Sequence, residues 1–368
     1  MDTDEDLSGF GECHAPRYSD EIKQFVLSVG RNHLIGESPM NIERLTYKMG
    51  LGSASGYIVN AISGIEIALW DLVGKTLGAP VHTLLGGSHR DEVKIYADCH
   101  AGEVVTSLES YGGDHELYTP EAYAKNAKTI ESMGYTILKF DLYPGFPGPS
   151  GRKIASPLSS SDIQYCAEIV ECVRSALKDE TGLAVDLGGG YSTADAIRLG
   201  KAFEPYKLEW IEDVVPGTNI EALEQVTQTL ALPVLCSYTQ LRNTRQFARE
   251  VIVKQAARLI AIDFGNIGGL QEGRKTTDLA ELYFIPVAVH NIASPLGTVA
   301  AAQASATIPN FIALEHHAIG VSWWDNLVKE GPVVENGYYR LNQKPGLGIE
   351  LDEDEVKKHL RKGEEFFS

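Results

Sequence analysis

The sequence predicts an α/β barrel, and two regularities carry that prediction. Five short apolar runs in the second half of the chain each end in a titratable residue: Asp186, Glu212, Asp263, His290 and Glu315. Successive members lie 26, 51, 27 and 25 residues apart, a period of 26 or so with one doubled interval. An apolar strand of about five residues followed by about 20 residues of helical sequence is the repeating unit of a (β/α) barrel, whose strand ends meet at one catalytic face. The five residues are therefore expected to share one barrel mouth.

The remaining elements follow in chain order. Tyr57–Leu77 carries apolar side chains at helical spacing and is predicted to be a helix. The barrel rhythm begins with predicted strands at Val93–Asp98 and Thr136–Asp141. A Gly- and Pro-rich loop at 143–161 follows, and long loops on this face of a barrel often contact substrate. The chain then turns irregular after the last strand and ends in a charged helix near 352–362.

Bulk composition limits the function classes. The 368 residues suit a barrel of about 250 residues with a smaller second domain. A net charge of −18 argues against a nucleic-acid partner, because phosphate binding needs clustered Lys and Arg. Five scattered cysteines without a C-x-x-C pair indicate reduced thiols. The acidic start and the lack of an apolar stretch approaching the length of about 20 residues that spans a bilayer predict a cytoplasmic protein without a membrane partner.

Motifs distributed over nearly the whole chain carry a family resemblance. They are Ala61–Leu72, Leu84–Gly87, Gly268–Gly269, Val289–Asn291, Ser294–Pro295, Trp323–Asp325 and Pro345–Gly348. Together they resemble the mandelate racemase/muconate lactonizing enzyme group of the enolase superfamily, and specifically its galactonate dehydratase-like members. The resemblance implies a (β/α)7β TIM-like barrel with an α+β capping domain formed by both chain ends. We therefore expect capping sequence at 1–90, the modified barrel at 91–318 and a segment returning to the cap at 319–368.

The resemblance also implies the roles of the strand-end residues. Asp186 and Glu212 match the first two ligands of a Mg²⁺ ion, which prefers oxygen donors. His290 and Asp263 match a base and the carboxylate that orients it. The family removes a proton α to a carboxylate, and a histidine suits that work because it titrates near neutral pH.

Other matched or nearby residues complete the expected site. Glu315 matches an acid that hydrogen-bonds the substrate carboxylate, and Lys139 matches the first lysine of a K-x-K motif whose second position is Asp141. Asp141 is a candidate general acid, a hydroxyl ligand or the partner of Lys139. Four further substrate-binding candidates are His100, Arg152, Tyr191 and Trp323. The pair His316-His317 is interpreted as supporting structure, since no spaced partner completes a zinc site.

Three features of the sequence depart from the family pattern. The third metal ligand is expected about one barrel period after Glu212, where Tyr238 stands, so help would have to come from water, substrate, Gln240 or Asp213. Gly188 occupies the position of a histidine that protonates the departing hydroxyl, leaving His290, Asp141 or Tyr191 as substitutes. The segment Ser8–Cys13 resembles a strand already inside the cap, so we expect either a misassigned start or a cap that lacks the preceding strand and its specificity loop.

Three functions remain open on these residues. The first is a Mg²⁺-dependent dehydratase that converts an acid sugar to a 2-keto-3-deoxy acid. The second is a racemase or epimerase, which the change of the strand-two base to Asp141 disfavours. The third is a barrel that has lost catalysis and serves binding or assembly, which the departures favour. Expected partners are a small carboxylate and further copies of the chain in a homo-oligomer.

Overall fold

Eight parallel strands close into a barrel in a computed structural model of the protein, which describes residues 1–14, 18–100, 118–237, 245–317, 319 and 321–366. β1 pairs with both β8 and β2, which completes the ring of neighbours from β2 to β8. The strands are β1 (Glu92–Asp98), β2 (Ile137–Asp141), β3 (Gly182–Asp186), β4 (Trp210–Glu212), β5 (Val234–Cys236), β6 (Leu259–Ile262), β7 (Val287–Val289) and β8 (Phe311–His316). The predicted barrel is confirmed.

One α-helix follows each of the first seven barrel strands, and these helices form the outer layer. They are α5 (Pro120–Glu131), α6 (Ser160–Ala176), α7 (Thr193–Phe203), α8 (Ile220–Thr229), α9 (Arg245–Lys254), α10 (Leu270–Leu282) and α11 (Pro295–Ser305). After β8 the chain leaves the barrel, so the architecture is the expected (β/α)7β form. The predicted strands at 93–98 and 136–141 agree with β1 and β2 to within one residue.

The barrel interior is filled below the strand ends. Tyr96 of β1 and Trp210 of β4 meet edge to face with ring centroids 5.4 Å apart. Leu235 of β5 and Ala288 of β7 belong to the same buried cluster. Because side chains alternate along a strand, the residue two positions after each of these layer members points inward above it. Asp98 and Glu212 are such residues, and they stand at the mouth over a closed apolar floor.

Helices from the first ninety residues lie outside the barrel ring. They are α1 (Ser19–Val29), α2 (Ile42–Lys48), α3 (Tyr57–Leu77) and α4 (Val81–Leu84), with a π-helix at Gly30–Leu34. α3 matches its prediction at both ends and stops at Gly78, whose φ of 65° suits a left-handed C-cap. The N-terminal segment packs closely on α3, where a Cβ on Gly11 would lie 2.0 Å from the Gly64 carbonyl oxygen. The Ser8–Cys13 prediction is not matched, since Ser8 forms only an isolated bridge to Asp2.

Both chain ends meet on one buried carboxylate of α3. Asp71 accepts the Phe10 N–H at 3.0 Å and the Leu347 N–H at 2.8 Å, and Lys75 donates to it at 2.7 Å. The C-terminal part also contributes β9 (Tyr338–Arg340), antiparallel to β1, and α12 (Glu353–Lys358). Asp71 thus joins the N-terminal segment, α3 and the C-terminal return. The predicted limits at residues 90 and 318 fall outside all eight barrel strands and stay predictions.

Replacing Asp71 by Ala is expected to lower the free energy of unfolding by about 2–4 kcal/mol. The substitution leaves the buried Leu347 N–H and the part-buried Phe10 N–H without their acceptor. Urea denaturation followed by circular dichroism measures the loss. Asp20→Ala is the matched control, because Asp20 joins the chain ends through an exposed pair with Arg361, and its loss should be much the smaller of the two. Equal losses in the two variants would contradict the role of Asp71.

Two sequence-based expectations concern α3 and the cysteines. α3 is long and apolar enough by length and composition to cross a membrane, so the expectation that no stretch approaches that length is wrong. However, 83% of its most apolar window is buried inside the protein, as is common for a core helix. All five cysteines are free, as predicted.

Candidate active site

Strand register brings the predicted carboxylates to one level of the barrel. Asp141 of β2 is the lateral partner of Asp186 of β3, which in turn is the partner of Glu212 of β4. Asp98 of β1 is level with Lys139 of β2. Residues separated by 26 to 45 positions therefore stand side by side, and placement at strand ends predicted this for Asp141, Asp186 and Glu212.

Three buried carboxylates form an oxygen-rich pocket at the ends of β3 and β4. Asp186, Glu212 and Asp213 each offer an oxygen within 4.8 Å of the others, and each is at most 4% exposed. Tyr143 donates to Asp186 at 2.9 Å, and Trp210 donates to Glu212 at 3.1 Å. Hard, anionic oxygen donors match the preference of Mg²⁺, which can keep water or substrate oxygens as its other ligands. The donor set therefore fits this ion.

Asp213 takes part through an unusual backbone. Its φ is 44°, and its carboxylate accepts the Ser237 N–H at 2.8 Å and the Ser237 hydroxyl at 2.5 Å. Those bonds aim the carboxylate at β5 while one oxygen stays near the other two acids. The family position for a third ligand, Tyr238, and the alternative Gln240 both lie outside the described residues. Asp213 is accordingly the third carboxylate that the structure places beside Asp186 and Glu212.

Lys139 connects the carboxylate pocket to β8. Its Nζ lies 2.6 Å from Glu315 Oε1, 3.4 Å from Glu212 Oε2 and 3.8 Å from Asp186 Oδ2. Burial lowers the pKa of Lys139, but Glu212 and Glu315 outweigh it and raise the pKa well above its ordinary value. Burial by itself raises the pKa of Glu315, but Lys139 and His290 outweigh burial and lower that pKa to about 2. Lys139 and Glu315 therefore form a fully charged pair at the mouth.

His290 and Asp263 form the predicted pair at the ends of β7 and β6. His290 Nδ1 lies 2.8 Å from Asp263 Oδ2, and Asp263 also accepts the Gly265 N–H at 2.8 Å and the Asn266 amide at 2.6 Å. With three donors fixing the carboxylate, Nδ1 of His290 carries its proton toward Asp263. Nε2 is then the nitrogen that faces the mouth with a lone pair, 3.6 Å from Glu315 Oε2.

A second imidazole pair stands on the other side of Glu315. His317 Nε2 contacts Asp98 and lies 3.1 Å from Glu315 Oε1, and His100 Nε2 lies 3.3 Å from the same Asp98 carboxylate. His100 also lies 3.7 Å from Asp141. Burial raises the pKa of Asp141 to about 7, and His100 partly offsets that rise. The sequence interpretation missed Asp98 and treated His317 as supporting structure. Both continue the inward alternation, Asp98 two residues after Tyr96 and His317 two after Glu315.

The other predicted substrate contacts lie apart from this cluster. Arg152 is 56% exposed and pairs with Asp162 at the start of α6. The buried Tyr191 donates to the Leu142 carbonyl at 2.8 Å. Trp323 stacks on His359 of the C-terminal return, with ring centroids 3.9 Å apart. Among the described residues their contacts do not join the acidic pocket, and their substrate roles stay predictions.

Comparison with known families agrees with this geometry. The enolase C-terminal domain-like model matches residues 122–355, and the mandelate racemase/muconate lactonizing enzyme N-terminal domain model matches residues 1–86. The chain belongs to the mandelate racemase/muconate lactonizing enzyme group of the enolase superfamily. The barrel with a cap from both chain ends is the architecture that this membership implies.

Relatives within the mandelate racemase/muconate lactonizing enzyme group include named dehydratases. The chain is 39% identical over 343 residues to a D-xylonate dehydratase of Haloferax volcanii, covering 91% of this chain and 79% of that protein. It is 29% identical over 364 residues to a D-gluconate/D-galactonate dehydratase of Picrophilus torridus, covering 98% and 87%. A solved mandelate racemase/muconate lactonizing enzyme-like protein from Rubrobacter xylanophilus superposes with a TM-score of 0.89 at 36% identity, covering 98% and 93%. The galactonate dehydratase-like placement predicted from motifs is confirmed.

Proposed function

We propose that the protein is a Mg²⁺-dependent dehydratase of an aldonic acid, giving a 2-keto-3-deoxy acid. The observation that carries the proposal is the position of the His290–Asp263 pair across the mouth from the Asp186–Glu212–Asp213 pocket. This arrangement suits a substrate whose carboxylate binds over the acids and whose α-carbon faces the imidazole. The names of the dehydratase relatives support the acid-sugar class.

Asp186, Glu212 and Asp213 would hold the Mg²⁺ ion. When bound, the ion supplies positive charge that stabilises the enediolate formed from the substrate carboxylate. Lys139 stands at the edge of that pocket and adds a fixed positive charge beside it. Glu315, held by Lys139, places a carboxylate oxygen 3.6 Å from His290 Nε2, the atom that receives the proton.

His290 removes the α-proton through Nε2. Asp263 fixes the ring orientation and stabilises the imidazolium that results, as the carboxylate of a catalytic triad does. The tightly bonded Asp263 leaves little freedom for the ring to turn away. Loss of the β-hydroxyl from the resulting enediolate then gives an enol, which tautomerises to the 2-keto acid.

The direct test offers D-xylonate, D-gluconate and D-galactonate to the Mg²⁺-loaded protein. We expect a 2-keto-3-deoxy acid from at least one of them, detected as its semicarbazone and by mass spectrometry. Chelation of the metal should stop the reaction, and adding Mg²⁺ back should restore it. Absence of any 2-keto acid from the three metal-loaded mixtures would contradict the proposal.

The same mixtures in D₂O separate the two alternative functions. A racemase or epimerase would incorporate deuterium at the α-carbon and return the inverted acid without elimination. A barrel without catalysis would neither exchange the proton nor form product. The cytoplasmic location and the homo-oligomer stay predictions alongside this proposal.

A further inference from the structure

We propose that His317 donates the proton to the departing β-hydroxyl group. The inference rests on the proposed dehydratase function and names a residue for the step that the family assigns to a histidine at the position of Gly188. Cleavage of a carbon–oxygen bond is slow when hydroxide must leave unprotonated, so an acid within reach of that oxygen is required.

The placement of His317 suits a donor that faces the substrate. It lies two residues after Glu315, on the same face of the chain, while the intervening His316 turns away and meets the Tyr135 hydroxyl at 2.9 Å. The His317 ring centroid lies 6.1 Å from His290 and 6.0 Å from His100. Its side chain is 10% exposed, whereas Asp98 and Glu315 beneath it are at most 1% exposed. The imidazole therefore forms part of the lining of the mouth, next to the base.

The carboxylates around His317 keep it protonated. Burial alone lowers the pKa of His317, but contacts with Asp98 and Glu315 outweigh it and raise the pKa to about 10. The groups facing the ring are Asp98 and His100 from β1, Glu315 from β8 and His290 from the end of β7. Asp98 is itself held ionised, because two imidazoles share it. An imidazolium is thus present at neutral pH, ready to give up a proton.

A metal site is the competing interpretation of Asp98, His100 and His317, whose ligand atoms also lie within 4.8 Å of one another. The hydrogen bond at His100 argues against it. The Asp141 N–H points at His100 Nδ1 at 3.2 Å, so Nδ1 is the acceptor and the ring proton is on Nε2. That Nε2 faces Asp98, and a nitrogen that carries a proton has no lone pair for a metal. We therefore interpret Asp98, His100 and His317 as a hydrogen-bonded group that carries protons, in preference to a metal site.

His290 and His317 together account for both proton transfers of the elimination. The Cα–H bond breaks and its proton passes to His290 Nε2. The Cβ–O bond then breaks, the leaving oxygen takes a proton from His317, and water and the enol result. His290 ends as the imidazolium and His317 as the neutral ring. Glu315 contacts both rings, at 3.6 Å and 3.1 Å, so the positive charge moves while remaining beside the same carboxylate.

The test exploits a leaving group that needs no proton. His317→Gln is compared with wild type on D-xylonate (or on whichever of the three aldonates wild type dehydrates) and on its 3-deoxy-3-fluoro analogue. We expect dehydration to fall by about 10²- to 10⁴-fold, the usual contribution of a general acid. Fluoride release should stay within tenfold or so of wild type, and the variant should still exchange the α-proton in D₂O. His316→Gln is the matched control, since it alters the neighbouring imidazole that faces Tyr135.

The outcomes separate the inference from the function beneath it. Equal losses of fluoride release and dehydration in His317→Gln would overturn the donor role, because a damaged site would slow both. Dehydration at the wild-type rate would overturn it as well. A wild-type protein that releases neither water nor fluoride would overturn the dehydratase function itself, and the donor role with it.

Discussion

Replacing His290 by Asn is expected to lower the rate of dehydration by about 10³- to 10⁴-fold, near the upper end of what a positioned base contributes. The variant should also lose exchange of the α-proton with solvent deuterium. Asn can keep a polar contact with Asp263, but its amide has no basic nitrogen to accept the proton. Binding of the aldonate should change much less, because the acidic pocket and Lys139 are untouched. Rapid-quench kinetics and deuterium incorporation measure the two effects.

Asp263→Asn tests the same base through its orientation. In the wild-type protein Asp263 accepts a hydrogen bond from His290 Nδ1. In the variant the amide NH₂ can donate to Nδ1, which moves the ring proton to Nε2. A lone pair is then missing where the substrate binds, and a loss of up to about 10⁴-fold is expected from a wrong tautomer of this kind. Circular dichroism should remain that of wild type. A variant of either residue that keeps a tenth of the activity and exchanges the α-proton would contradict the base assignment.

The barrel was predictable because its signal is repeated. Apolar runs recur at one spacing, and a strand buried on both sides reads as a continuous apolar stretch. β9 was missed because it is only three residues long and pairs antiparallel with one end of β1. It therefore lies outside the repeating strand–helix spacing that predicted the barrel. The joining of both chain ends at Asp71 was likewise invisible, since its donors lie more than sixty and two hundred and seventy positions away.

The position of a candidate site residue was predictable where that residue ends a strand. Asp186, Glu212, Asp263, His290 and Glu315 all reach one mouth because the register of neighbouring strands sets their height. The same rule applied to β1 and to the residue two beyond Glu315 would have found Asp98 and His317. Loop residues follow no such rule. The direction of Arg152 depends on Asp162 of the next helix, and that partner is fixed only by the folded loop.

Glu212→Gln is expected to weaken Mg²⁺ binding by at least about tenfold, because an amide replaces one charged oxygen donor of a hard-cation site. It should remove dehydration as well. The loss of Mg²⁺ affinity should be large because the positive charge of Lys139 lies 3.4 Å from Glu212 and repels the ion. Removing one carboxylate charge then leaves the pocket with less negative charge to hold the ion. Isothermal calorimetry with MgCl₂ measures the affinity. Glu209→Gln is the matched control, since Glu209 is exposed just before β4.

Glu212 also gives the binding a pH dependence of known sign. Burial raises the pKa of Glu212 well above its ordinary value, with Lys139 opposing the rise and Asp186 adding to it. The metal-free carboxyl therefore binds a proton more readily than an ordinary glutamate does, a bound ion competes with that proton, and Mg²⁺ affinity should increase as the pH rises through the titration of Glu212. Proton release should appear as a binding heat that differs between buffers of different ionisation enthalpy, and Glu212→Gln should lose that difference. Unchanged affinity in Glu212→Gln would contradict the role of Glu212 as a ligand. In that case Asp186 and Asp213 alone would have to hold the ion, and Glu212 would serve only to balance the charge of Lys139.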